Sequence, residues 1–214
     1  MTTRIILADD HPVVSLGARA VLESDGLTSV VATATSPEEL LHVLTTTPCD
    51  AVVTDYIMPS ARAMDGMGLL GQLQRRWPYM PVLVMTALSN PAILQYIHAS
   101  GVRALVHKSD VHGELSYAVR AVLRGKIYLS QCVREQINGD VMSDTPMQPG
   151  KMLSPREAEV LRLFASGRTV SDIAGQLHRS VKTVSGQKNR AMTKLGLRSD
   201  VDIYTYARES GLLA

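Results

Sequence analysis

Short apolar runs alternate with amphipathic stretches through the first 125 residues. The runs are RIILA (4–8), TSVVATA (28–34), AVVTD (51–55), PVLVMT (81–86) and VRALVH (102–107). Runs of this length, rich in Val, Ile and Leu, predict buried strands. The stretches between them repeat apolar residues at helical spacing. Val14, Ala18, Val21 and Leu22 mark one helix, and Leu40, Leu41 and Leu44 a second. Leu69, Leu70 and Leu73 mark a third, Ile93, Leu94 and Ile97 a fourth, and Leu115, Ala118, Val119 and Val122 a fifth. Ser36-Pro37-Glu38-Glu39 is a helix start: a hydroxyl cap, a proline where no amide is needed, and acids in the first turn. Five strands alternating with five helices predict an α/β fold, a doubly wound five-stranded parallel sheet covered on both faces. Its crossovers are expected to be right-handed.

The pattern changes after residue 125. Residues 126–150, with NGDVMSDTPMQPG near their end, are rich in Gly, Pro, Ser and Asp and predict a linker, with a short helix around Ser130 to Ile137. Residues 151–214 are helical throughout. Ser154, Pro155 and Glu157 form a capping box at the start of one helix, and Gly167 closes it. VSDIAGQL, VKTVSGQKNRAMTKLG and SDVDIYTYARESG predict three more. Only HRS separates the first two of these, which predicts a helix-turn-helix with the third helix of the domain as the reader.

A chain of 214 residues suits two domains. No window of about 18 apolar residues occurs, which argues against a membrane span. The start, MTTRIILADDHP, lacks the apolar region and cleavage site of a signal peptide. Cys49 and Cys132 are far apart and have neither metal nor redox spacing. The expectation is a reduced, cytoplasmic protein. Net charge is +2, unevenly spread: residues 1–127 carry 10 Lys and Arg against 11 Asp and Glu, whereas residues 151–214 carry 11 against 6. No acid occurs between Asp172 and Asp200, while Arg179, Lys182, Lys188, Arg190, Lys194 and Arg198 do. Such a stretch suits a polyanion or a solvated helix face, and charge alone does not separate the two.

In a parallel sheet, chemistry collects beyond the carboxyl ends of the strands. The first strand ends in Asp9 and Asp10, the third in Asp55, the fourth in Thr86 and the fifth in His107 and Lys108. Singly, each has an ordinary explanation as a turn cap, a β-former or a solvated lysine. Together they place three carboxylates, a hydroxyl and an ammonium on one edge. Clustered carboxylates repel unless a cation sits among them, and an all-oxygen set suits Mg²⁺. With a metal to draw in a phosphoryl donor, Asp55 can attack as a nucleophile and become an acyl phosphate. Lys108 would pair with the new oxygens and Thr86 would donate to one of them.

These residues carry a family resemblance over nearly the whole chain. ILADDHPVV, VVTDYIMP, VLVMTAL and ALVHKSD resemble the receiver domain of bacterial response regulators, a CheY-like fold. LSPREAEVLRLFASGRTVSDIAGQLHRSVKTVSGQKNRAMTKLG is similar to the LuxR-type DNA-binding domain. In this order the two resemble the NarL/FixJ class of transcription factors. The resemblance implies a receiver over residues 1–125 and a DNA-binding domain over 151–214. It makes Asp55 the phosphoacceptor for a histidine kinase or phosphotransfer protein. It makes Asp9, Asp10, Asp55 and the Ile57 backbone carbonyl the Mg²⁺ ligands, with Thr86 and Lys108 as switch and phosphate partner. Two departures stand out. The segment from Pro59 to Asp65 is about three residues longer than in most receivers, and Leu105 occupies a place where many carry a switch aromatic.

On the reading helix, Val181, Val184, Ala191 and Leu195 have core spacing. Ser185, Gly186 and Asn189 lie toward the N-terminal half, where base edges of double-stranded DNA are reached, and Asn can read adenine. Gly186 either allows close approach to the groove or relieves crowding. Lys182, Thr183, Lys188, Arg190 and Lys194 are expected to touch phosphates. A homodimer on two half-sites is expected, and the resemblance places its contact around Asp200 to Arg208. In the receiver it implies either the first helix or the fourth-to-fifth region. One alternative is a regulator governed by auxiliary partner proteins rather than phosphate, which Leu105 favours and the intact acid set disfavours. A phosphatase with an Asp nucleophile would need a second acid two residues on, where this chain has Ile57.

Overall fold

The computed structural model describes residues 2–58, 66–139, 153–195, 197 and 199–209. The chain forms two compact units, Met1–Ser143 and Asp144–Ala214. In the first, β1 (Thr3–Ala8), α1 (Pro12–Glu23), β2 (Thr28–Ala34), α2 (Pro37–Thr46) and β3 (Ala51–Asp55) are followed by α3 (Gly66–Arg76), β4 (Val82–Thr86) and α4 (Pro91–Ala99). Next come β5 (Ala104–His107), a 3₁₀ turn (Lys108–Asp110) and α5 (Val111–Leu123). A last strand, β6 (Tyr128–Leu129), completes the sheet, whose order is β2-β1-β3-β4-β5-β6, every pairing parallel.

Side chains alternate across the pleat. Ile5, Leu7, Val53, Met85 and Val106 face a core built with Ala18 and Leu22 of α1 and Leu115, Ala118, Val119 and Val122 of α5. Ile6, Val52, Val84 and Leu105 are equally buried and face the other way, where α2 packs on β1 and β2 and α4 on β5. Burial on both faces explains why these strands are continuous apolar runs rather than alternating ones. The expected cap of α2 is formed: the Glu39 amide donates to Ser36 Oγ at 3.2 Å.

The sheet has one strand more than the five expected. β6 is only Tyr128–Leu129 and pairs with Ala104 and Leu105. Two residues are too few to show a period. α6 (Gln131–Gly139) follows and packs against α4 and β5. Its start is tied down: the His107 amide donates to Ser130 Oγ at 3.0 Å and the Cys132 amide to Asp110 Oδ2 at 3.0 Å. The sequence pattern placed a linker over 126–150; its part from residue 140 on lies outside the described residues, as does the segment from Pro59 to Asp65.

The second unit contains α7 (Pro155–Ala165), α8 (Val170–Gln176), α9 (Val181–Leu195) and α10 (Asp200–Glu209). The Ser154–Glu157 capping box is present, and a second one, unread in the sequence, joins Thr169 and Asp172 at α8. α9 packs on α7 and α8, and α10 on α7. His178, in the tight turn before α9, has φ 51°. That is left-handed backbone, which glycine adopts more readily.

Candidate functional site

The strand ends bring the predicted acids together. Side-chain ligand atoms of Asp9, Asp10, His11 and Asp55 all lie within 4.8 Å of one another. Asp9 and Asp55 are 1% and 4% exposed. Lys108 Nζ sits 2.6 Å from Asp55 Oδ2 and 2.9 Å from Asp9 Oδ2. The first contact is a hydrogen bond; the second is an ion pair without hydrogen-bond geometry, since Asp9 Oδ2 accepts no hydrogen bond. The His11 amide donates to Asp9 Oδ1 at 2.8 Å and the Ile57 amide to Asp55 Oδ1 at 3.3 Å. Burial pushes the Asp55 carboxyl up to about 6, even though Lys108 pulls it down. Burial pulls the Lys108 ammonium down, but Asp55 and Asp9 pull harder and leave it raised.

These residues fit a small hard cation. Asp9 Oδ2 and Asp10 Oδ1 are buried oxygens that complete no hydrogen bond, with Lys108 Nζ at 2.9 Å and the His11 ring at 3.0 Å beside them, respectively, an arrangement suited to a metal. His11, which the sequence reading passed over, places Nδ1 3.0 Å from Asp10 Oδ1 and 3.3 Å from Asp9 Oδ1. Its place directly after Asp9-Asp10 was the available signal. An imidazole is a poor Mg²⁺ ligand, so its ring belongs to the rim rather than the ligand set.

Thr86 is fully buried at the end of β4, in register with His107 of β5. Its Oγ1 accepts from the Leu88 amide at 3.0 Å. The hydroxyl is thereby tied to the loop leading to α4, and its proton is free to be donated elsewhere. Leu105 is fully buried, two residues before His107 on the same strand face. Gly66 opens α3 where any Cβ would lie 2.3 Å from the Tyr56 carbonyl oxygen. Only glycine lets α3 begin so close to the residue after Asp55.

In the second unit, α9 sorts the predicted DNA contacts into two groups. Lys182, Thr183, Asn189 and Arg190 are exposed, and Ser185 and Gly186 half-buried. Nothing lies within 4 Å of where a Gly186 Cβ would be, so this glycine does not relieve crowding in the described residues. Lys188 and Lys194 face inward instead. Lys188 is 9% exposed, its Nζ 2.6 Å from Asp200 Oδ1 and 4.2 Å from the centre of the Phe164 ring. Lys194 Nζ lies 2.5 Å from Glu157 Oε2. Position 188 is four residues after the core residue Val184 and three before Ala191, so helical phase turns Lys188, which the sequence pattern assigns to phosphate, inside. Arg190 stays 66% exposed at 3.8 Å from Glu157 Oε1.

Residues 5–120 match the response regulator receiver domain and residues 151–207 the luxR family of bacterial regulatory proteins. The chain belongs to the response regulators that join a receiver to a LuxR-type DNA-binding domain, and it is a DNA-binding transcription factor of the RcsB-like kind. It is 36% identical over 205 residues to the transcriptional regulatory protein RcsB of Salmonella typhi, covering 94% of this chain and 92% of that one. It is 31% identical over 217 residues to the oxygen regulatory protein NreC of Staphylococcus epidermidis, covering 98% and 99%. RcsB of Salmonella enterica serovar Typhimurium, solved bound to the promoter P1flhDC with the phosphomimetic BeF₃⁻, superposes with a TM-score of 0.73 at 34% identity, covering 99% and 100%.

Proposed function

We propose that Asp55 is the phosphoacceptor of this regulator and that its modification controls DNA binding by the second unit. A carboxylate oxygen of Asp55 attacks the phosphorus of a phosphohistidine on a histidine kinase or phosphotransfer protein. The P–N bond breaks as the P–O bond forms, and the departing imidazole keeps the electron pair and takes up a proton. The observation that carries this reading is Lys108 Nζ at 2.6 Å from Asp55 Oδ2, with ligand atoms of Asp9, Asp10 and Asp55 all within 4.8 Å of one another. Asp9, Asp10, Asp55 and the Ile57 carbonyl would hold Mg²⁺, which when bound neutralises the carboxylates and the phosphoryl oxygens. Lys108 orients the Asp55 oxygen and then pairs with the phosphoryl group. The Thr86 hydroxyl donates to a phosphoryl oxygen, and because it also holds the Leu88 amide, it draws the β4–α4 loop with it.

The protein acts as a homodimer on double-stranded DNA in the cytoplasm, a reading that the solved RcsB dimers bound to DNA support. Among the described residues no helix is long and apolar enough to cross a membrane. Lys182, Thr183 and Arg190 meet phosphates, and Ser185, Gly186 and Asn189 meet base edges. It turns over no small phosphate ester, since Ile57 gives no acid where such hydrolases need one. The test is intact mass after incubation with Mg²⁺ and acetyl phosphate. One phosphoryl group added to the wild type and none to Asp55→Asn is the expected result. An unmodified wild type, under conditions that label another receiver, refutes the reading.

A further inference from the structure

The inner face of α9 is unusually polar for a helix packed on two others. Lys188 is its most telling residue. The ammonium is held between a carboxylate of α10, Asp200 at 2.6 Å, and the ring of Phe164 on α7, 4.2 Å to its centre. Phe164 in turn meets Tyr204 of α10 with ring centres 5.9 Å apart. Lys188 is thus the point at which α7, α9 and α10 join. Asp200 is the first residue of α10, where the amide dipoles favour a negative charge. The helix start is fixed as well: the Asp202 amide donates to Ser199 Oγ at 3.3 Å and the Ser199 amide to Asp202 Oδ2 at 2.9 Å. The carboxylate therefore projects from an anchored turn.

The ammonium is largely out of water while the Asp200 side chain is 54% exposed, and an ion pair with one partner in solvent adds little net stability over an apolar residue of the same size. A methionine at 188 would fill the space against Phe164. What the ammonium adds is direction: among the described residues it is held where Asp200 and the Phe164 ring face meet. α9 turns about 100° per residue, so a pin at 188 fixes the roll of the helix, and with it where Ser185 and Asn189 point.

We propose that Lys188 is a positioning residue for sequence reading: the Asp200–Lys188–Phe164 contact sets the roll of α9 and so the alignment of its outer side chains with base edges. This rests on the reading of α9 as the DNA-contacting helix.

The experiment uses the full chain and a duplex enriched by the wild type from a random pool, with a scrambled duplex of the same composition as reference. Dissociation constants are measured across a range of NaCl concentrations for wild type, Lys188→Met, Lys188→Arg and Asp200→Asn, beside their thermal unfolding. Lys188→Met and Asp200→Asn are each expected to reduce discrimination between the duplexes by about tenfold, the scale of one misplaced base contact. The salt slope should stay at the wild-type value, and Lys188→Arg should keep most of the discrimination. Asp200→Asn carries the test if Lys188→Met fails to fold, since it leaves α9 untouched. A different pattern overturns the proposal. If Lys188→Met weakens both duplexes alike and lowers the salt slope by about one while Asp200→Asn binds as well as wild type, Lys188 is a direct phosphate contact. Unchanged discrimination in both variants overturns it too. A wild type that enriches no duplex refutes the DNA-reading role of α9 itself, and the proposal with it.

Discussion

Lys108 Nζ bridges two acids at once, 2.6 Å from Asp55 Oδ2 and 2.9 Å from Asp9 Oδ2. One ammonium thereby offsets the charge of two nearly buried carboxylates. Lys108→Met removes the only such cation at this edge among the described residues. It is expected to lower phosphoryl acceptance from acetyl phosphate by roughly tenfold or more, the usual scale for losing a charge at a reacting centre. It should also destabilise the metal-free protein, with Mg²⁺ restoring part of the loss. Mass spectrometry and thermal unfolding with and without EDTA check both.

Burial raises Asp55 to about 6, above an ordinary carboxylate. The sign follows from linkage. Above pH 6 the folded protein carries the unfavourable charge; as pH falls through 6 it takes up a proton that the unfolded chain binds only near 4. Asp55→Asn should therefore stabilise the metal-free protein at pH 8 by roughly 1–3 kcal/mol, a gain that falls to roughly a third by pH 4.5, because it is lost in full only below the unfolded value. Urea unfolding in EDTA at the two pH values measures it.

The same proton competes with the metal. Mg²⁺ affinity should be constant well above pH 6 and fall up to about tenfold per pH unit below it. A calorimetric titration at pH 5, 6, 7 and 8 gives the profile. A flat profile would show that Asp55 is not a ligand.

Gly186 has open space where a Cβ would be. Gly186→Ala should stabilise the second unit by about 1 kcal/mol, because Ala is the better helix former, while weakening DNA binding by interposing a methyl group. A denaturation midpoint and an anisotropy titration are expected to move in opposite senses.

His178 holds φ 51° between α8 and α9. His178→Gly should relieve about 1 kcal/mol of left-handed strain without altering DNA affinity. A thermal shift of a few degrees upward is the expected readout.

The strands of the receiver were legible because burial on both faces leaves runs such as AVV (51–53) with no polar interruption. The acid site was legible because a parallel sheet delivers every strand end to one edge, so Asp9, Asp55, Thr86 and Lys108 could be placed together without knowing a distance. β6 was not, since Tyr128–Leu129 owes its extended form to the neighbouring β5 and to nothing local. The burial of Lys188 was legible in its phase, since spacing from Val184 and Ala191 puts it inside. Lys194 is a different case. Its partner Glu157 lies 37 residues earlier, and nothing in the local pattern announces the pair.

The short β6 strand bears on how this protein can be divided. A fragment stopped at residue 125 would leave β5 as the border of the sheet. The Tyr128 and Ser130 amides, which donate to the Arg103 and Leu105 carbonyls, would be gone. A bare parallel edge of apolar residues invites another chain to complete it. The receiver alone should thus stay monodisperse when cut after residue 139 and associate when cut at 125, so the first residues past the fifth helix act as its selvage.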